Sequence, residues 1–173
     1  MKTFAWMAAA ALAAAGCSSM GAGGGGARAV ASLEPTQGNS AHGAVTFTQR
    51  GDRVHVVAHV MGLKPGATHG FHVHEKGDCG SADGMSTGGH FNPDGHPHGP
   101  QSAAHHAGDM PALVADAYGT ADAAFDLAGV SLGGGAPDLV GKGLIVHRDP
   151  DDYTTQPTGN AGPRIACAVI RRA

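Results

Sequence analysis

No stretch of this 173-residue chain sustains an apolar stripe at helical spacing, which argues against a helical core. From about Val30 the apolar residues alternate instead, as in Val45/Phe47, Val54/Val56 and Phe71/Val73, the period of strands with one buried face. Strand-like runs fall within Thr36–Gln49, Arg53–Met61, Gly70–Glu75, Ala112–Ala117, Ala121–Leu127, Gly143–Arg148 and Arg164–Arg171, punctuated by turns such as Arg50-Gly51-Asp52. About eight short strands with Gly-rich turns predict an all-β sandwich or closed barrel. Two stretches stay irregular, Lys76–Pro111 and Asp149–Pro163, and loops of that length in a compact domain usually carry function.

Such a barrel would have a thin core. Leu, Ile, Val and Phe together number 28, about 16% of the chain, below the ~20% typical of folded domains. Gly and Pro add 29 and 10 residues, while the net charge of −3 is too small to drive disorder. The fold therefore needs staples beyond apolar burial. With 11 Lys and Arg against 14 Asp and Glu, the chain lacks the basic excess of a nucleic-acid binder.

The first 17 residues read as an export signal. Lys2 supplies a short positive region, and Phe4–Ala15 is an apolar run too short to span a bilayer. Ala14-Ala15-Gly16-Cys17 resembles the lipobox of a bacterial lipoprotein precursor, with Cys17 as the lipidated residue and Ala14 smaller than usual; the alternative is a plain secretory signal cleaved nearby, and both imply export. Residues 18–29 form a Gly-rich tether, and residues 30–173 the folded domain. Export leaves Cys79 and Cys167 as an even pair in an oxidising compartment, where a disulfide is favoured over free thiols.

Twelve His are the remaining anomaly. His72 and His74 lie two apart on a strand, so both rings leave the same face. Paired imidazoles favour Cu, Zn, Fe or Ni. His90, His98, His106 and Asp109 follow in the first long loop, a donor set able to close a tetrahedral zinc site. His147 ends the Leu144-Ile145-Val146 strand and can return to the first pair. His96 and His105 compete with His98 and His106, while His42, His55, His59 and His69 read as solvated or backbone-bonded.

Together, Gly70-Phe71-His72-Val73-His74-Glu75, Gly89-His90-Phe91-Asn92-Pro93, His98-Gly99, His106-Ala107-Gly108-Asp109, Leu144-Ile145-Val146-His147 and Gly159-Asn160-Ala161-Gly162-Pro163-Arg164-Ile165-Ala166-Cys167 resemble Cu,Zn superoxide dismutase, and the export signal resembles its bacterial periplasmic branch. The resemblance spans roughly residues 30–172. It implies an eight-stranded Greek-key β-barrel or sandwich with a long metal-binding loop and a second active-site loop. It further implies one copper per chain on His72, His74, His90 and His147, and one zinc on His90, His98, His106 and Asp109, with His90 bridging. Asp151 is implied to hydrogen-bond one ligand of each metal, Cys79–Cys167 to be the disulfide, and Arg164 to border copper and receive the anion.

The implied activity converts two superoxide anions to O2 and H2O2 by copper redox cycling, with zinc structural. All copper positions and Arg164 are present, unlike in a silent metal-binding relative, and the zinc positions argue against a copper-only form. The implied partners are superoxide and a membrane reached only through the lipid, with a homodimer among the allowed assemblies. The implied location is the periplasm, and Ser18 after Cys17 is compatible with outer-membrane sorting.

Overall fold

The computed structural model describes Met1 and residues 26–135 and 137–173; the export signal, Cys17 and most of the tether lie outside these residues. Among the described residues ten strands form: β1 Arg28–Pro35, β2 His42–Arg50, β3 Arg53–Met61, β4 Thr68–His69, β5 Phe71–His74, β6 Leu113–Val114, β7 Ala121–Ala128, β8 Gly143–His147, β9 Arg164–Val169 and β10 Arg171–Arg172. One 3-10 turn, Met85–Thr87, is the only helical element among the described residues, none of which forms a helix able to cross a membrane.

Eight strands join in one antiparallel sheet of order β5-β8-β9-β1-β2-β3-β7, with β10 pairing β1 off this path. The contacts β9–β1 and β3–β7 join strands that are not sequential, the over-and-back connection of a Greek key. β4 and β6 form a separate two-stranded ladder. Since β4 runs into edge strand β5 through Gly70, and β6 lies against the other edge strand β7, this ladder fills the gap between the edges. The sheet thus curls around a single core.

The pleat decides what enters that core. Val54, Val56, Ala58 and Val60 of β3 are buried while Val57, His59 and Met61 face out, and Ala29, Ala31 and Leu33 of β1 do the same with smaller side chains. β5 and β8 differ, because every residue in them is buried. Phe71, Val73, Leu144 and Val146 belong to the core; His72, His74, Ile145 and His147 leave the opposite face, which only loops can cover. The sheet therefore presents its imidazoles on its outer surface.

Several strand boundaries depart from expectation. β1 begins at Arg28 and takes in Ala29, both placed by composition in the Gly-rich tether, because buried alanines carry little pattern. Thr36–Ala41 turns instead of joining β2, through Gly38 at φ 76° and a bond from Asn39 N to Thr36 O. Ala112–Ala117 shortens to Leu113–Val114, since Ala115 and Asp116 bond to Ala67 and Thr120.

The Cys79–Cys167 disulfide ties the metal-binding loop to β9, with Cα atoms 5.9 Å apart and 88 positions of separation. Closing so long a loop removes freedom from the unfolded chain. Replacing both cysteines with serine should lower unfolding free energy by roughly 4 kcal/mol, measured as a reduced urea midpoint for protein with equal metal content.

Candidate metal centre

The loop after β5 returns to lie beside it. Val73 N donates to Gly108 O at 2.8 Å, Phe91 N to Val73 O at 2.9 Å, and Glu75 N to Gly89 O at 3.0 Å. These bonds create bridges pairing His72 with Asp109 and His74 with His90. Phe91 sinks into the core and anchors the return, so backbone ladders fix where His90 and Asp109 stand. Gly70 is required at the start of β5, because a Cβ there would lie 2.8 Å from Ala161 Cβ and 3.2 Å from His72 Cε1.

Two groups of ligand atoms result, each gathered within 4.8 Å: His72, His74, His90 and His147, and His90, His98, His106 and Asp109. All are buried, and His90 belongs to both. One nitrogen on most of these rings is already committed. His72 Nε2 donates to Asp151 Oδ2 at 2.6 Å, His98 Nε2 to Asp151 Oδ1 at 2.8 Å, His74 Nδ1 to Gly88 O at 2.9 Å, and His147 Nδ1 to Gly162 O at 3.0 Å. These bonds set the tautomers and leave lone pairs on His72 Nδ1, His74 Nε2, His147 Nε2 and His98 Nδ1.

Those four atoms, with His90 Nε2 and His106 Nδ1, are buried and have no hydrogen-bond partner among the described residues. Burying unsatisfied polar atoms is costly, so six in one place call for a ligand that accepts lone pairs. Around Asp109 Oδ1, His90 Nδ1 stands at 2.8 Å, His98 Nδ1 at 3.0 Å and His106 Nδ1 at 3.4 Å. A tetrahedron of ~2.0 Å zinc bonds needs edges of about 3.3 Å, so this set fits zinc with little adjustment. The all-imidazole set fits copper by donor type.

Electrostatics favour the same occupants. Burial pushes His72 and His74 well below the usual histidine range, helped by neighbouring His90, and holds His147 at about 4. Burial pushes Asp109 upward, but the His90 bond, the His106 N–H and nearby His98 overcome it and hold the carboxylate at about 2. At neutral pH His72, His74 and His147 thus offer neutral imidazoles, and Asp109 offers an anion.

The structure separates the competing imidazoles. His98 and His106 are 3% and 5% exposed, whereas His96 is exposed and His105 is half-buried. His69 Nδ1 donates to His147 O at 2.9 Å, so it holds backbone, and His55 and His59 pair with Asp126 and Asp122 on the outer face. Of the surface cations, Lys142 sits over Phe91 and Arg148 binds Asp149.

Arg164 stands opposite His147 across the β8–β9 ladder. Its Nη1 donates to Gly84 O at 2.8 Å and Thr87 Oγ1 at 2.7 Å, and its Nη2 to Gly88 O at 2.6 Å. Three of five N–H groups are thus tethered, leaving Nε–H and one Nη2–H as a fork with no partner among the described residues. Thr87 escaped the sequence reading, as did Gln156 and Tyr153. Gln156 accepts from His98 N and donates to His98 O, both at 2.8 Å, and Tyr153 stacks on the His98 ring with its hydroxyl accepting from Ala112 N. A lone aromatic in a polar loop was the sole clue to Tyr153; a threonine and a glutamine offered none.

A Greek-key β-barrel carrying two buried donor sets that share one histidine defines a two-metal centre as a class. The family model for copper/zinc superoxide dismutase matches residues 41–170. The chain is 41% identical over 151 residues to "Superoxide dismutase [Cu-Zn] 2" of Brassica juncea, covering 83% of this chain and 96% of the relative. It is 40% identical over 136 residues to "Superoxide dismutase [Cu-Zn]" of Paramecium bursaria Chlorella virus 1, covering 74% and 71%. The protein belongs to the copper/zinc superoxide dismutase family, which binds both metals.

Asp151 is the shared support of both sets, and Gly159 permits its approach, since a Cβ there would strike Asp151 Oδ1. Asp151→Asn leaves one carbonyl oxygen for two ring N–H groups. Affinity for both metals should fall about 10–100-fold, measured by chelator competition, and an unchanged affinity would remove Asp151 from this role.

Proposed function

We propose that this protein dismutates superoxide, two anions and two protons giving O2 and H2O2, as an exported, lipid-anchored enzyme. The observation that carries the catalytic reading is the pair of donor sets meeting at His90, with the Arg164 fork beside the all-imidazole set. When bound, copper supplies the one-electron couple that oxidises one superoxide and reduces the next, while zinc keeps a single charge state.

The chain's residues do the rest. With net charge −3, attraction of the substrate falls to local charge, and the Arg164 fork offers a fixed two-point contact to a small anion. The Gly84, Thr87 and Gly88 tethers hold that fork in place, so little reorganisation accompanies binding. His90 Nε2 is the atom placed to take up and return a proton, because its Nδ1 faces Asp109 and the zinc set. Asp151 and the Gly88 and Gly162 carbonyls keep the His72, His98, His74 and His147 rings in one tautomer.

Removing the fork tests the catalytic reading. Arg164→Ala should lower the dismutation rate roughly tenfold or more and weaken its dependence on ionic strength, with both metals retained; an unchanged rate would end the anion-guiding role.

The location rests on the signal, the Cys17 lipobox and a disulfide suited to an oxidising compartment. The bacterial periplasmic branch, the lipid anchor and, through Ser18, the outer membrane belong to this reading. In a bacterial host the protein should partition with membranes and Cys17→Ala should be soluble; identical partitioning would refute the anchor. Sedimentation of the detergent-extracted protein then distinguishes monomer from homodimer.

A further inference from the structure

Two imidazoles of the metal-binding loop take no part in the buried centre. His96 stands two residues before His98, and His105 stands directly before His106. Both turn to the outer side of the loop, where with Asp94 they line one cavity of about 270 Å³ bordered by Ala128 and Gly129 at the end of β7.

The local backbone presents them. Asn92 Nδ2 donates to His96 O at 2.9 Å and Asn92 Oδ1 accepts from His96 N at 3.0 Å, closing a tight turn that carries Asp94 and His96 outward. Gly95 enables the turn with φ 66°. His105 Nδ1 donates to Ala103 O at 2.7 Å, which leaves Nε2 as a free lone pair. Asp94 carboxylate and the His96 ring have no hydrogen-bond partner among the described residues, whereas His55 and His59 are each held by a carboxylate.

We propose that Asp94, His96 and His105 form an exchangeable zinc site on the outer face of the loop, from which zinc passes to the buried set. Two imidazoles and a carboxylate, with water completing the shell, are the donors of an open zinc site. Among the described residues only the two buried groups gather their ligand atoms within 4.8 Å, so the outer trio must close on the ion by rotating exposed Asp94 and His96 toward half-buried His105. That ordering costs entropy and keeps binding weak and rapidly reversible. Weak, fast binding suits transfer: His105 is bonded to His106, and only Pro97 separates His96 from His98. The transfer step rests on the buried zinc set described above; the binding step does not.

Titration of Zn2+ into protein already holding one copper and one zinc, followed by calorimetry, tests the site. One additional equivalent is expected, lost in Asp94→Asn and in the His96→Ala/His105→Ala double variant, and kept in His59→Ala. No additional equivalent, or one that survives the double variant, overturns the site. For transfer, zinc-free protein loaded with copper is given Zn2+ and uptake is followed with a chromophoric chelator. The double variant should load about tenfold more slowly and reach the same final zinc content; equal uptake rates overturn the transfer step.

Discussion

One imidazole ring ties the molecule together. His90 presents Nε2 to His72, His74 and His147 and Nδ1 to His98, His106 and Asp109, so neither donor set is complete without it. A ring used on both edges cannot be placed by a flexible loop alone. The bridge from His90 to His74 and the burial of Phe91 beside it place His90 on the barrel wall, and the disulfide from Cys79 to β9 restrains the same loop nearer its start.

The thin core and the metal centre are two sides of one design. β5 and β8 spend one face on Phe71, Val73, Leu144 and Val146 and the other on His72, His74 and His147. Covering the histidine face takes two loops, which have few apolar residues with which to pack. They are held instead by polar contacts that converge on the ligands: Asp151 on His72 and His98, Gln156 on the His98 backbone, and Tyr153 on the His98 ring. Metal ions that satisfy six buried lone pairs would then stabilise the loops as well as the site.

Much of this could be read from residue order, and the reason is local. The alternation Phe71/His72/Val73/His74 states both the strand and its two faces, and the long Gly- and Pro-rich loop declares itself by length. Strand β1 has no counterpart among the runs legible in the sequence, because Ala29 and Ala31 are buried through position rather than bulk. His98-Gly99 and His106-Ala107-Gly108-Asp109 favoured His98 and His106 over His96 and His105 only through the family resemblance, because which side of the loop faces inward is a property of the backbone path rather than of residue type. Thr87 and Gln156 act across separations of 77 and 58 positions, so no pattern along the chain could announce them.

Diffraction from crystals of the metal-loaded protein, recorded on either side of the copper and zinc absorption edges, bears most directly on His90. The result expected is one copper peak beside Nε2 and one zinc peak beside Nδ1 of the same ring. A single metal position, or a His90 ring bound to one ion with its other nitrogen in solvent, would contradict it.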